Sequence, residues 1–283
     1  MGLIIAMVSG KGGVGKTTLT AGLGGALARR GKKILITDGD LGLRDLDLVI
    51  GKENEILYDA LDVWKKRCRA EDAIVSVSEG LDFLPASQGV RWEDVGRKGY
   101  GRLLKKMAKQ YDYVIVDAPA GIGRGNDAIL RVAQRLVIVT EPVWVALRNA
   151  QRVMQVCREQ RQLDYALVFN RINPHMSVAD IEEAWYSLSA EMLGAVLPYS
   201  EAVWQQGQAG KLYNPIADTF DNLLTPLCDF CQSGNAWDDT TIFTQYASVM
   251  SAEQKKFEEN KRQKEQPRLL VRQRDSRWRR LRR

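Results

Sequence analysis

The chain has 283 residues, 45% hydrophobic and 27% charged, a balance that supplies a large core and excludes wholesale disorder and a collagen-like architecture. A single histidine, His175, excludes His-rich zinc sites and leaves catalysis to carboxylates, lysines or bound metal, while Cys68, Cys157, Cys228 and Cys231 are too few and scattered for a disulfide scaffold and fit a reducing cytoplasm. The net charge of +6 is uneven: residues 255–283 hold 13 Lys or Arg against 4 Asp or Glu, which leaves residues 1–254 at −3.

The first apolar run, Leu3 to Val8, reads as a strand. It is far shorter than the roughly 18 residues of a membrane-crossing helix, and no basic segment precedes it to make an export signal. Short β-branched runs then alternate with longer segments of helical period. Strands are expected at Leu3 to Val8, Ile34 to Thr37, Leu81 to Leu84, Tyr113 to Val116, Leu136 to Thr140, Ala166 to Phe169 and Ala195 to Leu197. Helices are expected at Thr17 to Arg29, Val95 to Gln110, Asp127 to Ala133, Trp144 to Gln160, Ala179 to Leu188 and Asp221 to Cys231, with a last one starting near Asp239. Strands apolar throughout are buried on both faces. The alternation predicts an α/β fold, a doubly wound, mostly parallel sheet with helices on both faces, and the phosphate loop after the first strand makes it a P-loop NTPase fold. The expected division is an ATPase domain over 1–254, a charged helical linker over 255–267 and a basic tail over 268–283.

The sharpest motif is Gly10-Lys11-Gly12-Gly13-Val14-Gly15-Lys16-Thr17-Thr18, between the first strand and the first helix. It fits G-x-x-x-x-G-K-[ST] in the context that pattern demands. Glycines let successive N–H groups turn toward phosphate oxygens, and the helix N-terminus adds partial positive charge. Lys16 is expected on the β- and γ-phosphates of ATP and Thr17 on Mg²⁺. After the second strand, Asp38 and Asp40 leave a strand's carboxyl end beside this loop, where ligands of such folds bind. Asp112 to Asp117 is an apolar strand ending in a carboxylate, as a Mg²⁺-shell aspartate requires, and Gly121 follows it.

The extra lysine, Lys11, makes the loop resemble the deviant Walker A of the MinD/ParA family of ATPases. The run Gly42-Leu43-Arg44-Asp45-Leu46-Asp47-Leu48-Val49-Ile50-Gly51 and the run Pro119-Ala120-Gly121-Ile122 resemble the MinD branch of it. The resemblance covers about residues 1 to 255. It implies ATP-dependent homodimers in which Lys11 reaches the partner copy's phosphates, Asp40 positions the attacking water, Asp38 and Asp117 support the metal, and Asn170-Arg171 read adenine. It further implies attachment to the inner face of the cytoplasmic membrane, release on hydrolysis, and a role in division-site placement with a septation inhibitor (MinC-like) and a topological regulator (MinE-like or other). Gly123 and Asn149 depart from the pattern, where Glu and Asp are usual.

Two other readings stay open. A MinD-like regulator of flagellar placement would carry an N-terminal extension that this chain is expected to lack. Cys228-Asp229-Phe230-Cys231 has the spacing of an iron–sulfur carrier, although helical core spacing favours packing. Trp64, Trp92, Trp185, Trp204 and Trp237 share no spacing and read as packing residues. In the tail, Leu269, Leu270, Val271, Trp278 and Leu281 lie among eight arginines, an imperfect amphipathic segment expected to meet anionic lipid rather than nucleic acid.

Overall fold

The computed structural model describes residues 2–42, 44–93, 97–121, 123–161, 164–216 and 218–265. In chain order these residues form β1 (Leu3–Val8), α1 (Lys16–Arg29), β2 (Ile34–Asp38), α2 (Leu46–Ile50), α3 (Ala60–Trp64), α4 (Ala70–Ala73), β3 (Val75–Ser78) and β4 (Leu81–Leu84). Then come α5 (Arg97–Met107), β5 (Tyr113–Asp117), α6 (Arg124–Leu130), β6 (Arg135–Thr140), α7 (Trp144–Arg161), β7 (Asp164–Ile172), α8 (Val178–Ser187) and β8 (Leu193–Pro198). Four helices close the described chain: α9 (Glu201–Gln208), α10 (Asp218–Leu223), α11 (Thr225–Ser233) and α12 (Asp239–Glu265). The chain divides into two compact units, Met1–Tyr246 and Ala247–Arg283. Everything below on the site concerns the first. The tail residues 268–283, including Leu269, Leu270, Val271, Trp278 and Leu281, lie outside the described residues.

One eight-stranded sheet, in the order β3-β4-β2-β5-β1-β6-β7-β8, carries the first unit. Its ladders are parallel except for β3 on β4. Helices cover both faces, as expected for apolar strands that must be shielded twice. Ile4, Ile5, Met7, Val114, Ile115 and Val116 are wholly buried, each worth about 1.5–3 kcal/mol relative to exposure. The strand order reverses beside β1, so the loop after β1 opens at the crevice where such sheets bind ligands.

All seven expected strands form, most of them longer than expected. Strand β3 is additional. Its sequence, Val-Ser-Val-Ser, is short and half polar because it is an antiparallel edge strand whose pattern runs between buried and exposed. Helix α6 begins three residues earlier than expected and ends at Leu130. The expected single helix from Asp221 to Cys231 is two helices, because Pro226 stands in the first turn of α11 and can neither donate to the Asn222 carbonyl four residues back nor fit beside it. That freed carbonyl instead accepts from the Gln245 side chain at 2.9 Å. Short helices α2, α3, α4 and α9 are additional to the expected elements.

Candidate functional site

The site floor is set by strand register. Asp117 lies beside Met7 across β1–β5 and beside Asp38 across β2–β5. The loop that leaves β1 therefore passes over the end of β5. Lys16 and Thr17 open α1, and both turn to that carboxylate: the Lys16 ammonium donates to Asp117 Oδ1, and Thr17 Oγ1 donates to Oδ2 at 2.5 Å. The Lys16 and Asp117 side chains are 11% and 3% exposed. A cation so deeply placed is held by its partner and by little water.

Above this floor the loop curls with Gly13 and Gly15 at φ +82° and +87°. A Cβ on Gly12 or Gly13 would meet nothing within 4 Å, whereas one on Gly15 would lie 2.3 Å from Asn170 Nδ2. The cradle is thus open on the Gly12-Gly13 side and closed behind Gly15. Beneath it, Ser9 is buried and its Oγ has no hydrogen-bond partner among the described residues. Open glycines, an ammonium, a hydroxyl and a carboxylate at one helix N-terminus fit phosphate with a hard divalent cation.

Asp38 ends β2 and is 1% exposed. Its carboxylate accepts from the backbone N–H groups of Asp40 at 2.8 Å, Asp45 at 2.9 Å and Leu46 at 3.2 Å. Burial, and next the neighbouring Asp117 charge, push its pKa up to about 7 against those donors. The loop from Asp40 to Leu46 is thereby folded around one carboxylate. Arg44 reaches Asp47 at 2.8 Å within the same turn, and Leu46 and Ile50 are buried. These contacts account for the spacing of the acidic motif. Asp40 is half-buried, and burial raises its pKa while Lys16 opposes the rise.

A cleft of about 580 Å³ runs from this floor toward β8. Gly12, Gly13, Lys16, Thr17, Asp40, Asn170 and Arg171 line one end, and Pro198, Tyr199, Val203 and Trp204 line the other. Asn170 is buried and gives its amide to the Val14 carbonyl at 2.8 Å, and Arg171, at φ +55°, donates to the Gly13 carbonyl. Gly121 has φ +82° and donates its N–H to the Ser9 carbonyl at 2.9 Å. Lys11 is exposed on the loop and has no hydrogen bond or ion pair among the described residues, so it stands apart from the others.

Some participants carried little signal in the sequence. Asn126 donates to the carbonyls of Pro119 at 2.8 Å and Gly121 at 2.6 Å, clamping the turn after Asp117. Trp92 donates to the Gly39 carbonyl at 2.9 Å. Trp204, expected in the core, is 54% exposed on the cleft wall. Gly123, at the departure from the expected Glu, faces open space, and Asn149 backs onto Gly10. Cys228 and Cys231 are buried in α11 at 1% and 0% exposure. Burial raises both thiols, Cys228 to about 11, as for packed hydrophobes rather than ligands.

The sequence matches the family described as AAA domain over residues 2–167. It is 38% identical to the septum site-determining protein MinD of Bacillus subtilis over 72% of this chain and 79% of that protein. Against the MinD of Thermotoga maritima it is 37% identical, with 72% and 78% covered. Among solved structures, the cell division ATPase MinD of Pyrococcus furiosus aligns with TM-score 0.71 and 29% identity over 83% of this chain and all of that one. The MinC:MinD complex of Aquifex aeolicus aligns at 0.68 and 30%, covering 83% and 97%. MinD of Pyrococcus horikoshii complexed with Mg-ADP aligns at 0.69 and 28%, covering 83% and 96%. With the phosphate loop, both acidic strand ends and this breadth of likeness in agreement, the chain belongs to the MinD branch of the MinD/ParA family of P-loop ATPases.

Proposed function

We propose that this protein is an ATP-dependent dimerising ATPase that attaches to the inner face of the cytoplasmic membrane and regulates where the division septum forms. The observation that carries the nucleotide part is the Asp117 carboxylate shared by Lys16 and Thr17 beneath an open glycine cradle. Lys16 would hold the β- and γ-phosphates and Thr17 and Asp117 the Mg²⁺ shell, with Asp38 holding the Asp40 loop in place. Magnesium neutralises phosphate charge that builds up during transfer. Asp40, at the cleft edge, orients the attacking water. Asn170 and Arg171 brace the loop on the side where adenine lies.

Lys11 supports dimerisation by its position: an exposed cation in the loop, with no acceptor of its own, is suited to a phosphate held by a second copy, as an arginine finger acts in trans. Beside it, the start of α7 shows Val143, Trp144 and Val145 at 49%, 79% and 64% exposure, an apolar patch next to the Asn149–Gly10 contact that a second copy covers. A septation inhibitor of the MinC kind is the partner proposed from the Aquifex aeolicus complex, with a topological regulator acting on the same dimer. The basic tail, 268–283, is the lipid arm. Light scattering in saturating ATP and Mg²⁺ tests the reading: Asp40→Ala should be a stable dimer, Lys16→Ala a monomer without nucleotide, and Lys11→Ala a monomer that still binds ATP. A hydrolysis-blocked chain that stays single in ATP overturns it.

A further inference from the structure

Helix α5 carries cations with no counter-charge. From Arg97 to Tyr111 the chain has six Lys or Arg and no Asp or Glu. The helix buries Tyr100, Leu103, Leu104 and Met107. Arg102, Lys105 and Lys106, spaced i, i+3, i+4, therefore share the opposite face, Lys109 follows in the turn after the helix, and all four are exposed. None of them has a hydrogen bond or ion pair among the described residues. Several other surface cations are matched, Arg29 by Asp221, Arg30 by Asp229, Lys52 by Glu55 and Arg158 by Glu191. Like charges at helical spacing repel, while the helix C-terminal dipole favours Lys105 and Lys106 in the last turn.

The neighbouring elements extend it. Trp64, at the end of α3, sits where a Cβ on Gly99 would be, 1.8 Å from its ring. Lys65 and Lys66 follow directly and are exposed and unpaired among the described residues. Three carboxylates of the flanking elements are already engaged: Asp62 by Arg67 at 3.2 Å, Asp72 by Arg69 at 3.0 Å and, on α6, Asp127 by Arg131 at 3.1 Å. A cation-rich surface thus stands on a body that is net acidic over 1–254.

We propose that this face, Lys65, Lys66, Arg102, Lys105, Lys106 and Lys109, is a second contact for an anionic bilayer, lying flat on the headgroups. The proposal rests on the membrane attachment argued above and adds a site on the folded body to it. Two features favour lipid over nucleic acid. Lysine, a point charge without bidentate geometry, outnumbers arginine five to one. Among the described residues the face offers no fully exposed aromatic ring for base stacking. With no apolar side chain to insert, its binding is electrostatic and weakens with salt.

The test uses the full chain with ATP and vesicles of phosphatidylcholine, with or without phosphatidylglycerol. Changing Arg102, Lys105, Lys106 and Lys109 together to Glu should lower partitioning to the anionic vesicles by about a thousandfold or more and flatten its salt dependence. The milder set Lys105→Gln, Lys106→Gln and Lys109→Gln should give an intermediate loss with circular dichroism and ATP hydrolysis in solution unchanged. Wild-type affinity and salt dependence in both variants would overturn the face as a contact while leaving membrane attachment standing. Failure of the unaltered chain to bind anionic vesicles would overturn both. Duplex DNA binding that the variants lose, with vesicle binding intact, would assign the face to nucleic acid and overturn the lipid proposal.

Discussion

Gly12 and Gly15 stand three residues apart in one loop and answer to different constraints. At Gly15 the backbone is left-handed and the space behind it is filled by the Asn170 amide. Alanine there should cost about 1–2 kcal/mol from backbone strain alone and displace Asn170 from the Val14 carbonyl. At Gly12 the backbone is not left-handed and a methyl group would meet nothing. Gly12→Ala should therefore unfold in urea within about 0.5 kcal/mol of the parent yet bind a fluorescent ATP analogue at least about tenfold more weakly, because the added methyl takes the space where the proposed phosphates lie. Full affinity in Gly12→Ala would mean that the cradle does not hold phosphate. The G-x-x-x-x-G-K-[ST] pattern fixes Gly15 and leaves Gly12 free, and the space around each separates a folding role from a binding one.

At the scale of elements, the carboxyl end of β2 is held from outside the sheet. Trp92, in the connection between β4 and α5, donates to the Gly39 carbonyl, and Tyr100 on α5 donates to the Asp38 carbonyl at 3.1 Å. The two rings meet edge to face with centroids 5.3 Å apart, and the Trp92 indole closes on Gly125 of α6. One indole therefore touches both the end of the Asp38 strand and the helix after Asp117. Trp92→Phe keeps most of the ring but leaves a buried carbonyl without its donor. It should cost about 1–3 kcal/mol in urea unfolding and slow hydrolysis more than it weakens nucleotide binding. Equal stability would show that the Gly39 bond is replaced by water. None of this was legible in the sequence, where Trp92 shares no periodicity with its partners and the coupling is made by segments more than thirty residues apart. What was legible is what local pattern encodes: the parallel strands, because double burial makes them continuously apolar, and the phosphate loop with Asp38 and Asp117, because strand ends followed by glycine or acid announce themselves. Edge strand β3 was hidden by its polar alternation. The break between α10 and α11 was readable in principle, since Pro226 cannot continue a helix, but the apolar spacing through Leu227 and Cys228 outweighed it.

For the whole molecule, the proposed lipid arm and the proposed dimer depend on each other quantitatively. A single basic tail gains roughly 1 kcal/mol per Lys or Arg near an anionic bilayer, and ordering the segment returns much of that. One copy then binds weakly. Two tails on one dimer bind with the second event made intramolecular, a gain on the order of a hundredfold or more. ATP should accordingly raise vesicle partitioning of the full chain by about that factor over ADP, and Lys11→Ala, which binds nucleotide as a monomer, should lose the difference. Removing 268–283 should leave nucleotide binding and dimerisation intact while abolishing tight attachment. The remaining partitioning should come from the α5 face alone and vanish as salt rises. Sedimentation with anionic vesicles in ATP, ADP and no nucleotide reads all three. Partitioning indifferent to nucleotide would break the link between triphosphate and membrane, because a monomeric contact already strong enough to hold has nothing to gain from a second tail.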